Sequence, residues 1–495
     1  VFLGIDLGTS SVKAVLVDDS GAVCAESSSP LTIARPQPLW SEQDPDAWWR
    51  ATVSAVAGLP QAALPAVRAV GLTGQMHGAV LLDAADRVIR PAILWNDGRA
   101  AAACDELERR QPDSRTITGN LAMPGFTAPK LIWIADNEPD NFRRIARVLL
   151  PKDWLRFKLT GAFVTDPSDA AGTLWLDVAR REWSAAMLAA CDLDERHMPR
   201  IVEGTAIAGE LTREAAPLLG LRSGIPVAGG GGDNACGAVG IGAVHPGKAF
   251  LSLGTSGVIF VADAAVRPDP ERSVHAFCHC IPNMWHRMAV MLSGASTLSA
   301  VARLAGAANE SQFVTEIEAA GIMARTGSRL VMLPYLSGER TPHNDPNATG
   351  VFFGIDGACT REDLGRAALE GVAFALADGL DALEATGRSI ESLSVIGGGS
   401  RSRYWGRLIA AALERPLVYH RGGEIGPALG AARLARIAIG SASVDEACPA
   451  PLIDEVLAPE PVLTAALAPR RALFRRLYRD LKPSFDAVLR DDAIQ

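Results

Sequence analysis

Val1-Phe2-Leu3-Gly4-Ile5-Asp6-Leu7-Gly8-Thr9-Ser10-Ser11-Val12-Lys13-Ala14-Val15-Leu16-Val17 is the stretch on which the reading of this chain turns. Val1–Ile5 and Val12–Val17 are apolar and rich in β-branched residues, and a turn of small residues joins them, so the pattern predicts two antiparallel strands. A polar turn, Asp18-Asp19-Ser20-Gly21, then leads into a third strand over Ala22–Glu26. Leu7-Gly8-Thr9-Ser10 returns 246 residues later as Leu253-Gly254-Thr255-Ser256, in a chain of 495. The second copy again lies between strand-like segments, Ala249–Leu253 and Val258–Ala262. Both copies later give way to helices. Asp44 is an N-cap with Pro45 at the first helical position, and Ser296 opens an apolar helix through Leu298, Val301 and Ala302. An echo so near half the length, in the same local order, predicts an internal duplication.

Composition bounds what such a duplicated chain can be. With 48% apolar and 21% charged residues there is ample material for a core, which rules out global disorder. The net charge of −8 speaks against a chain that works mainly on phosphate backbones of nucleic acid. Eight scattered cysteines read as reduced thiols, not a disulfide scaffold. The apolar stretch around Met288 to Ala302 is interrupted and falls short of the ~18–20 residues that span a bilayer. No basic, apolar leader pattern opens the sequence, so the expectation is a soluble, cytoplasmic protein.

Thr360-Arg361-Glu362-Asp363 resembles a capping box ahead of a long helix through Leu364, Ala368, Val372, Leu376, Leu380 and Leu383. Near the end, Leu473, Leu477, Leu481, Phe485 and Leu489 form a ladder beside Arg470, Arg471, Arg475, Arg476 and Arg479. This is read as a helix docked by its apolar stripe, in preference to a nucleic-acid or membrane surface. Pro246-Gly247 marks the boundary, giving segments 1–244 and 245–495.

Two motifs fail on chemistry. Gly242 to Ala249 has P-loop spacing, but Ala249 stands where a Mg²⁺-ligating hydroxyl is needed, and Pro246 removes a backbone N–H. His275, Cys278, His279 and Cys280, with His286 nearby, look like a metal cluster. Alternation along a strand sends neighbours to opposite faces, and structural zinc needs four convergent ligands, so buried thiols and a hydrogen-bonded histidine are expected instead.

The hairpin of the opening stretch has a chemical use. Small residues let backbone N–H groups approach phosphate oxygens, Thr9, Ser10 and Ser11 add hydroxyls, and Lys13 adds a compact charge. Asp6, at the strand end, is placed to hold Mg²⁺ through water, because magnesium dehydrates reluctantly. Gly254, Thr255 and Ser256 form the second grip. Two such grips in duplicated α/β halves, with nucleotide in the cleft between them, follow the logic of the actin–hexokinase (ribonuclease H-like) fold.

At this point the sequence resembles the FGGY carbohydrate kinases. The first fingerprint is carried by Gly125-Phe126-Thr127-Ala128-Pro129-Lys130 through Asn137, and the second by Gly350-Val351-Phe352-Phe353-Gly354-Ile355 through Glu370. Pro38–Pro45, Gly74–Gly78, Leu94–Arg99 and Pro334–Pro342 are similar to the members that phosphorylate D-xylulose. The resemblance runs from residue 1 to about residue 480 and implies ATP and Mg²⁺ as cofactors and D-xylulose 5-phosphate as product. It implies that Asp233, delivered by Gly229–Gly232 after the strand Ile225–Ala228, is the general base, with Asn234 beside it. Gln75, Met76 and His77 would hold the polyol, His77 donating to hydroxyls while Met76 packs on the carbon skeleton. Met-His after Gln75, in place of an Arg-Glu pair, argues against glycerol. Trp95, Asn96, Asp97 and Arg99 would shape the same pocket. Gly398, Gly399 and Arg403 would meet the adenosine and phosphates. The sugar is expected on the first half and MgATP on the second, with no nucleic acid or membrane partner and a homodimer as the assembly. Ribulose, gluconate or a deoxy-pentulose remain open as acceptors, as does a non-catalytic sugar- or nucleotide-sensing protein on the same fold.

Overall fold

In a computed structural model, residues 1–321, 330–387, 389–421 and 426–492 are described. Apolar residues at nearly every position of the opening strand bury it on both faces, which makes it the centre of a sheet. That strand is β1 (Phe2–Leu7), with Asp6 its only residue not fully buried. It is joined by β2 (Ser11–Val17), β3 (Val23–Pro30), β4 (Ala69–Gly74), β5 (Ile207–Glu210) and β6 (Pro226–Ala228) in the order β5-β6-β4-β1-β2-β3. β1 runs antiparallel to β2 and parallel to β4, so Asp6 lies beside Lys13 on one side and Thr73 on the other.

The second sheet repeats this plan. It contains β7 (Ala249–Leu253), β8 (Gly257–Asp263), β9 (His275–Cys278), β10 (Trp285–Met291), β11 (Leu393–Ile396), β12 (Leu417–His420) and β13 (Ile453–Leu457), in the order β9-β10-β8-β7-β11-β12-β13. Its centre, β7, is again antiparallel to its hairpin partner β8 and parallel to β11. Strand for strand, β7, β8, β10, β11, β12 and β13 stand where β1, β2, β3, β4, β6 and β5 stand in the first sheet. β9 is an addition at the edge. The echo read from one tetrapeptide is thus a repeat of a whole sheet.

The halves are interlaced. Helix Pro427–Ala438, from the second half, lies on the first sheet, where Ala428, Ala432 and Ala435 share a core with Phe2 and Val15. A Cβ on Gly71 would overlap the carbonyl oxygen of Ala431, so the approach of helix to sheet requires glycine there. Its counterpart, helix Asp233–Gly240, packs Ala238 and Val239 into a core with Phe250 and Phe260 of the second sheet. The two helices meet where Gly430 faces the backbone of Cys236.

The predicted caps form. Asp44 accepts from Asp46 N at 3.0 Å, and Thr360 and Asp363 exchange bonds ahead of helix Arg361–Ala385. The second-half helix expected from Ser296 begins one residue earlier, as Ala295–Leu304. Helix Pro461–Asp492 buries Leu467, Phe474, Leu477 and Phe485, and Leu473 and Leu481 pack partly against the same core. The side chain of Leu489, also assigned to that stripe, lies outside the described residues. Arg470, Arg471 and Arg475 pair with Glu370 and Asp378 of helix Arg361–Ala385, so these arginines fasten one helix to another. Among the described residues no helix is long and apolar enough to cross a membrane.

Candidate active site

The two hairpins lie at the ends of equivalent strands. In the first, Thr9 is fixed by side chains: its hydroxyl donates to Gln75 Oε1 (3.1 Å) and accepts from Trp95 Nε1 (3.0 Å). Its carbonyl accepts from Gln43 Nε2 (2.8 Å), and Gln43 in turn accepts from Gln75 Nε2 and Trp48 Nε1. Ser10 is exposed at the tip, and Lys13 Nζ sits 2.9 Å from Glu26. In the second hairpin, Gly254 N donates to Ser256 O (3.0 Å). Helix Ala295–Leu304 holds this turn from behind, with Ala295 N on Gly254 O (2.8 Å) and Ser296 Oγ on Thr255 O (2.7 Å).

Between the halves lies a cavity of about 240 Å³. From the first half come Met76, His77, Trp95, Phe126, Asp233 and Asn234; from the second come Ser256, His275, Phe277 and Arg340. Both halves supply walls to this cavity, whereas the sequence reading places the sugar on the first half. Ser256, assigned from sequence to the phosphate grip, lines this cavity. Gln75 does not; it is buried behind the wall and holds Thr9. Trp95 is 39% exposed at the mouth, whereas Asp97 and Arg99 form an ion pair beneath it (2.7 Å), with the guanidinium 3.6 Å over the Trp40 ring.

His77 has a left-handed backbone (φ 67°), a conformation that few non-glycine residues adopt. It is held there from several sides. Its carbonyl accepts from Lys130 Nζ (2.8 Å) and Thr127 Oγ1 (3.1 Å), and its ring meets Phe126 edge-on at 4.7 Å. Its Nδ1 lies 2.6 Å from Gly172 O, and a carbonyl only accepts, so Nδ1 carries the hydrogen. Burial pushes the imidazole down to about 3, so it is neutral and presents Nε2 as an acceptor. The expectation that His77 donates to hydroxyls is thus reversed. Lys130, quoted from sequence as part of a fingerprint, is the residue that pins this backbone.

Asp233 opens its helix immediately after Gly232. The turn before it is fixed from behind: Arg156 donates to Gly229 O, and Gly232 N donates to Ser168 Oγ (3.1 Å). Beneath lies a buried cluster in which Lys152 pairs with Asp153 (2.6 Å) and Asp166 (3.0 Å). Burial raises Asp233 to about 6, against two bonds to its Oδ1 from Asn234 N (2.7 Å) and Nδ2 (2.9 Å). Asp6 is raised to about 7 by burial and by the Asp233 charge, with Lys13 opposing. Its Oδ1 is buried without a hydrogen-bond partner. Among the described residues no group of three or more His, Cys, Asp and Glu side chains is set to hold a metal ion. Asp6 is accordingly suited to one carboxylate contact made through water and not to a protein cage.

A second cavity, of about 900 Å³, opens on the second half between Ser252, Gly397, Gly398, Ser400, Arg403, Tyr419 and His420. Gly398 and Arg403 line it. Gly399 does not line it: a Cβ there would run into the Leu253 side chain, so this glycine serves packing. Arg403 stacks on Tyr419 at 3.7 Å and pairs with Glu455 at 2.7 Å. Nearly fourfold larger than the first, this cavity has room for a nucleoside beside a sugar-sized neighbour.

Sequence reasoning missed His275, Phe277 and Arg340 in the first cavity. Spacing groups His275 with its cysteines, but Cys278 donates to Val178 O at 3.5 Å, while His275 and Phe277, two apart on β9, turn together into the cavity. The signal that could have found them is that period-2 pairing of a histidine and an aromatic on one strand.

The sequence matches the FGGY family of carbohydrate kinases, N-terminal domain, over residues 1–240 and the C-terminal domain of the same family over residues 249–439. It is 52% identical over 485 residues to the xylulose kinase of Escherichia coli (strain K12), covering 98% of this chain and 99% of that protein. It superposes on the crystal structure of a xyloylose kinase from Brucella ovis with a TM-score of 0.93, at 47% identity and 97% and 99% coverage. For the xylulose kinase from Rhodospirillum rubrum the values are 0.90, 31%, 98% and 99%. The two-domain α/β architecture is shared with both of these solved structures.

Proposed function

The chain belongs to the FGGY family of carbohydrate kinases, and from that premise we propose that it moves the γ-phosphoryl group of ATP onto O5 of D-xylulose, giving D-xylulose 5-phosphate and ADP. That it is a sugar kinase, transferring phosphate to an alcohol, follows from its family; xylulose comes from the relatives that bear that name. One observation carries the chemistry: Asp233, raised to about 6, stands in a sugar-sized cavity, close enough to Asp6 near the end of β1 for the two charges to repel.

Phosphoryl transfer asks mainly for positioning and charge neutralisation. Asp233 accepts the proton of the attacking hydroxyl as its oxygen bonds to phosphorus. The bond from phosphorus to the β–γ bridging oxygen breaks, and its electron pair leaves with ADP. Asn234, bonded to Asp233 Oδ1, keeps that carboxylate in one orientation. His77 accepts from a sugar hydroxyl, and Met76 and Trp95 cover carbon. Thr9, Ser10, Ser11, Lys13, Gly254, Thr255 and Ser256 form the phosphate grips, and Gly398 and Arg403 flank the nucleoside. Asp6, with its unpartnered buried Oδ1, fits the residue that would hold Mg²⁺ through water. When bound, Mg²⁺ supplies neutralisation of phosphate charge. Because the cavity walls come from both halves, closing them together excludes water from the transfer. Homodimer formation belongs to this reading and is checked by light scattering.

The test is ADP release with MgATP across a panel of pentuloses, hexuloses and polyols. D-xylulose giving the highest kcat/KM supports the reading. A different preferred sugar replaces the acceptor, and no sugar-stimulated release leaves a binding protein.

A further inference from the structure

This inference rests on the reading that the acceptor is a 2-ketopentose phosphorylated at O5, and it concerns how such a sugar is recognised. A 2-ketopentose closes its five-membered ring by bonding O5 to C2. The ring form therefore has no O5 hydroxyl to attack phosphorus, and the acceptor must be the acyclic ketone. That molecule carries hydroxyls, which can both donate and accept, and one C2 carbonyl, which only accepts.

The cavity carries both kinds of partner. The carboxylate of Asp233 lines it, electrostatically coupled to Asp6. His77, His275 and Arg340 line it too and are coupled to one another. His275 Nδ1 lies 3.3 Å from Asn120 Oδ1, which also accepts from Ala276 N, and its Nε2 lies 3.4 Å from Arg340 Nη1. With a guanidinium donating to Nε2, His275 has the same tautomer as His77. Both rings are held neutral by burial; His275 spends its acceptor nitrogen on Arg340, whereas His77 keeps Nε2 as an acceptor. Arg340 is the only Arg or Lys among the described lining residues. No carboxylate among the described residues forms an ion pair with it. Its neighbour Glu339 spends Oε1 on the backbone N–H groups of Leu292 (2.6 Å) and Arg340 (2.8 Å), which fixes the loop and leaves the guanidinium aimed inward. A half-buried guanidinium that no carboxylate pairs with gains from ligand oxygens that complete its hydrogen bonds.

We propose that Arg340 reads the C2 carbonyl of the acyclic ketose, and so is the specificity-determining residue that separates ketoses from the corresponding polyols. Hydroxyls of the sugar then meet acceptors at Asp233 and His77, and the carbonyl meets the one cation among the described lining residues.

The experiment compares kcat/KM for D-xylulose and for xylitol, in which the carbonyl is reduced to an alcohol. It uses wild-type enzyme and the variants Arg340→Met, Arg340→Gln and Arg340→Lys. In Arg340→Met the ketose value is expected to fall roughly ten- to a hundredfold, the worth of a charged hydrogen bond, while the xylitol value changes only a few-fold. The ketose-to-polyol ratio therefore falls. Arg340→Lys keeps a donor and recovers part of the ratio, and Arg340→Gln lies between. An ATP-dependent thermal shift reports that each variant is folded. Equal losses on both substrates, or an unchanged ratio, overturn the inference. Wild-type enzyme that prefers a polyol to every ketose overturns the xylulose reading as well, whereas ketose activity with an unchanged ratio in the variants overturns this inference alone.

Discussion

The two hairpins share Leu-Gly-Thr-Ser letter for letter, yet the residue before each differs: Asp6 precedes the first and Ser252 the second. Their supports differ as well. The first turn is tied by side chains to Gln75, Gln43 and Trp95, and so to the cavity wall; the second is tied to a helix start by backbone bonds and by the Ser296 hydroxyl. The duplicated framework has thus been made unequal by one strand-end residue and its neighbours. The first copy carries negative charge beside the Asp233 carboxylate, and the second presents a hydroxyl beside the larger cavity.

The sharpest way to break this comparison begins with the charge itself. Asp233→Asn is expected to lower kcat by about 10²–10⁴-fold while ATP still stabilises the protein in a thermal-shift assay; near-parental turnover would remove Asp233 as the base. Next comes the matched pair at the strand ends. Asp6→Asn should cost on the order of a hundredfold in turnover and raise the Mg²⁺ concentration needed, whereas Ser252→Ala should cost only a few-fold. Equal losses would abolish the asymmetry.

A smaller effect lies in the pH profile. Asp233 must be ionised to accept a proton, so log kcat/KM should fall as pH drops through about 6. Because Asp6 and Asp233 repel, that limb belongs to the pair, and Asp6→Asn should move it to lower pH. A limb still near 4 in the parent enzyme would contradict the raised carboxylate. The smallest effect is on stability. Asp6 is raised from 3.8 to about 7, so the folded state binds more protons than the unfolded chain across that window. Stability is therefore lost as pH rises through it. At pH 8 Asp6→Asn removes this burden and should raise Tm by roughly 1–3 °C, measured by calorimetry. A lower Tm would mean that the carboxylate is a structural anchor.

Much of this was legible in the sequence, for identifiable reasons. Strands buried on both faces declare themselves as apolar runs, so β1, β2, β7 and β8 could be read, and with them the repeat. Asp233, Asn234, Met76 and His77 follow strand ends within one half, where local pattern and family fingerprint agree. The parts that could not be read depend on contacts between distant segments. His275 and Arg340 meet 65 residues apart in the chain, across a cavity whose other wall belongs to the first half. Strand alternation tells which residues share a face, not which face looks into the cleft. Likewise nothing in the spelling of Gln75 distinguishes a ligand from a support; only the position of Thr9 and Gln43 around its amide does.

The interlacing of the two helices has a mechanical consequence. Helix Asp233–Gly240 and helix Pro427–Ala438 cross where Gly430 lies against Cys236, three residues along from Asp233. At this crossing a helix of each half packs backbone against backbone, so a displacement of one helix is passed directly to the other. Asp233 thereby opens a helix that is braced by a helix of the other half.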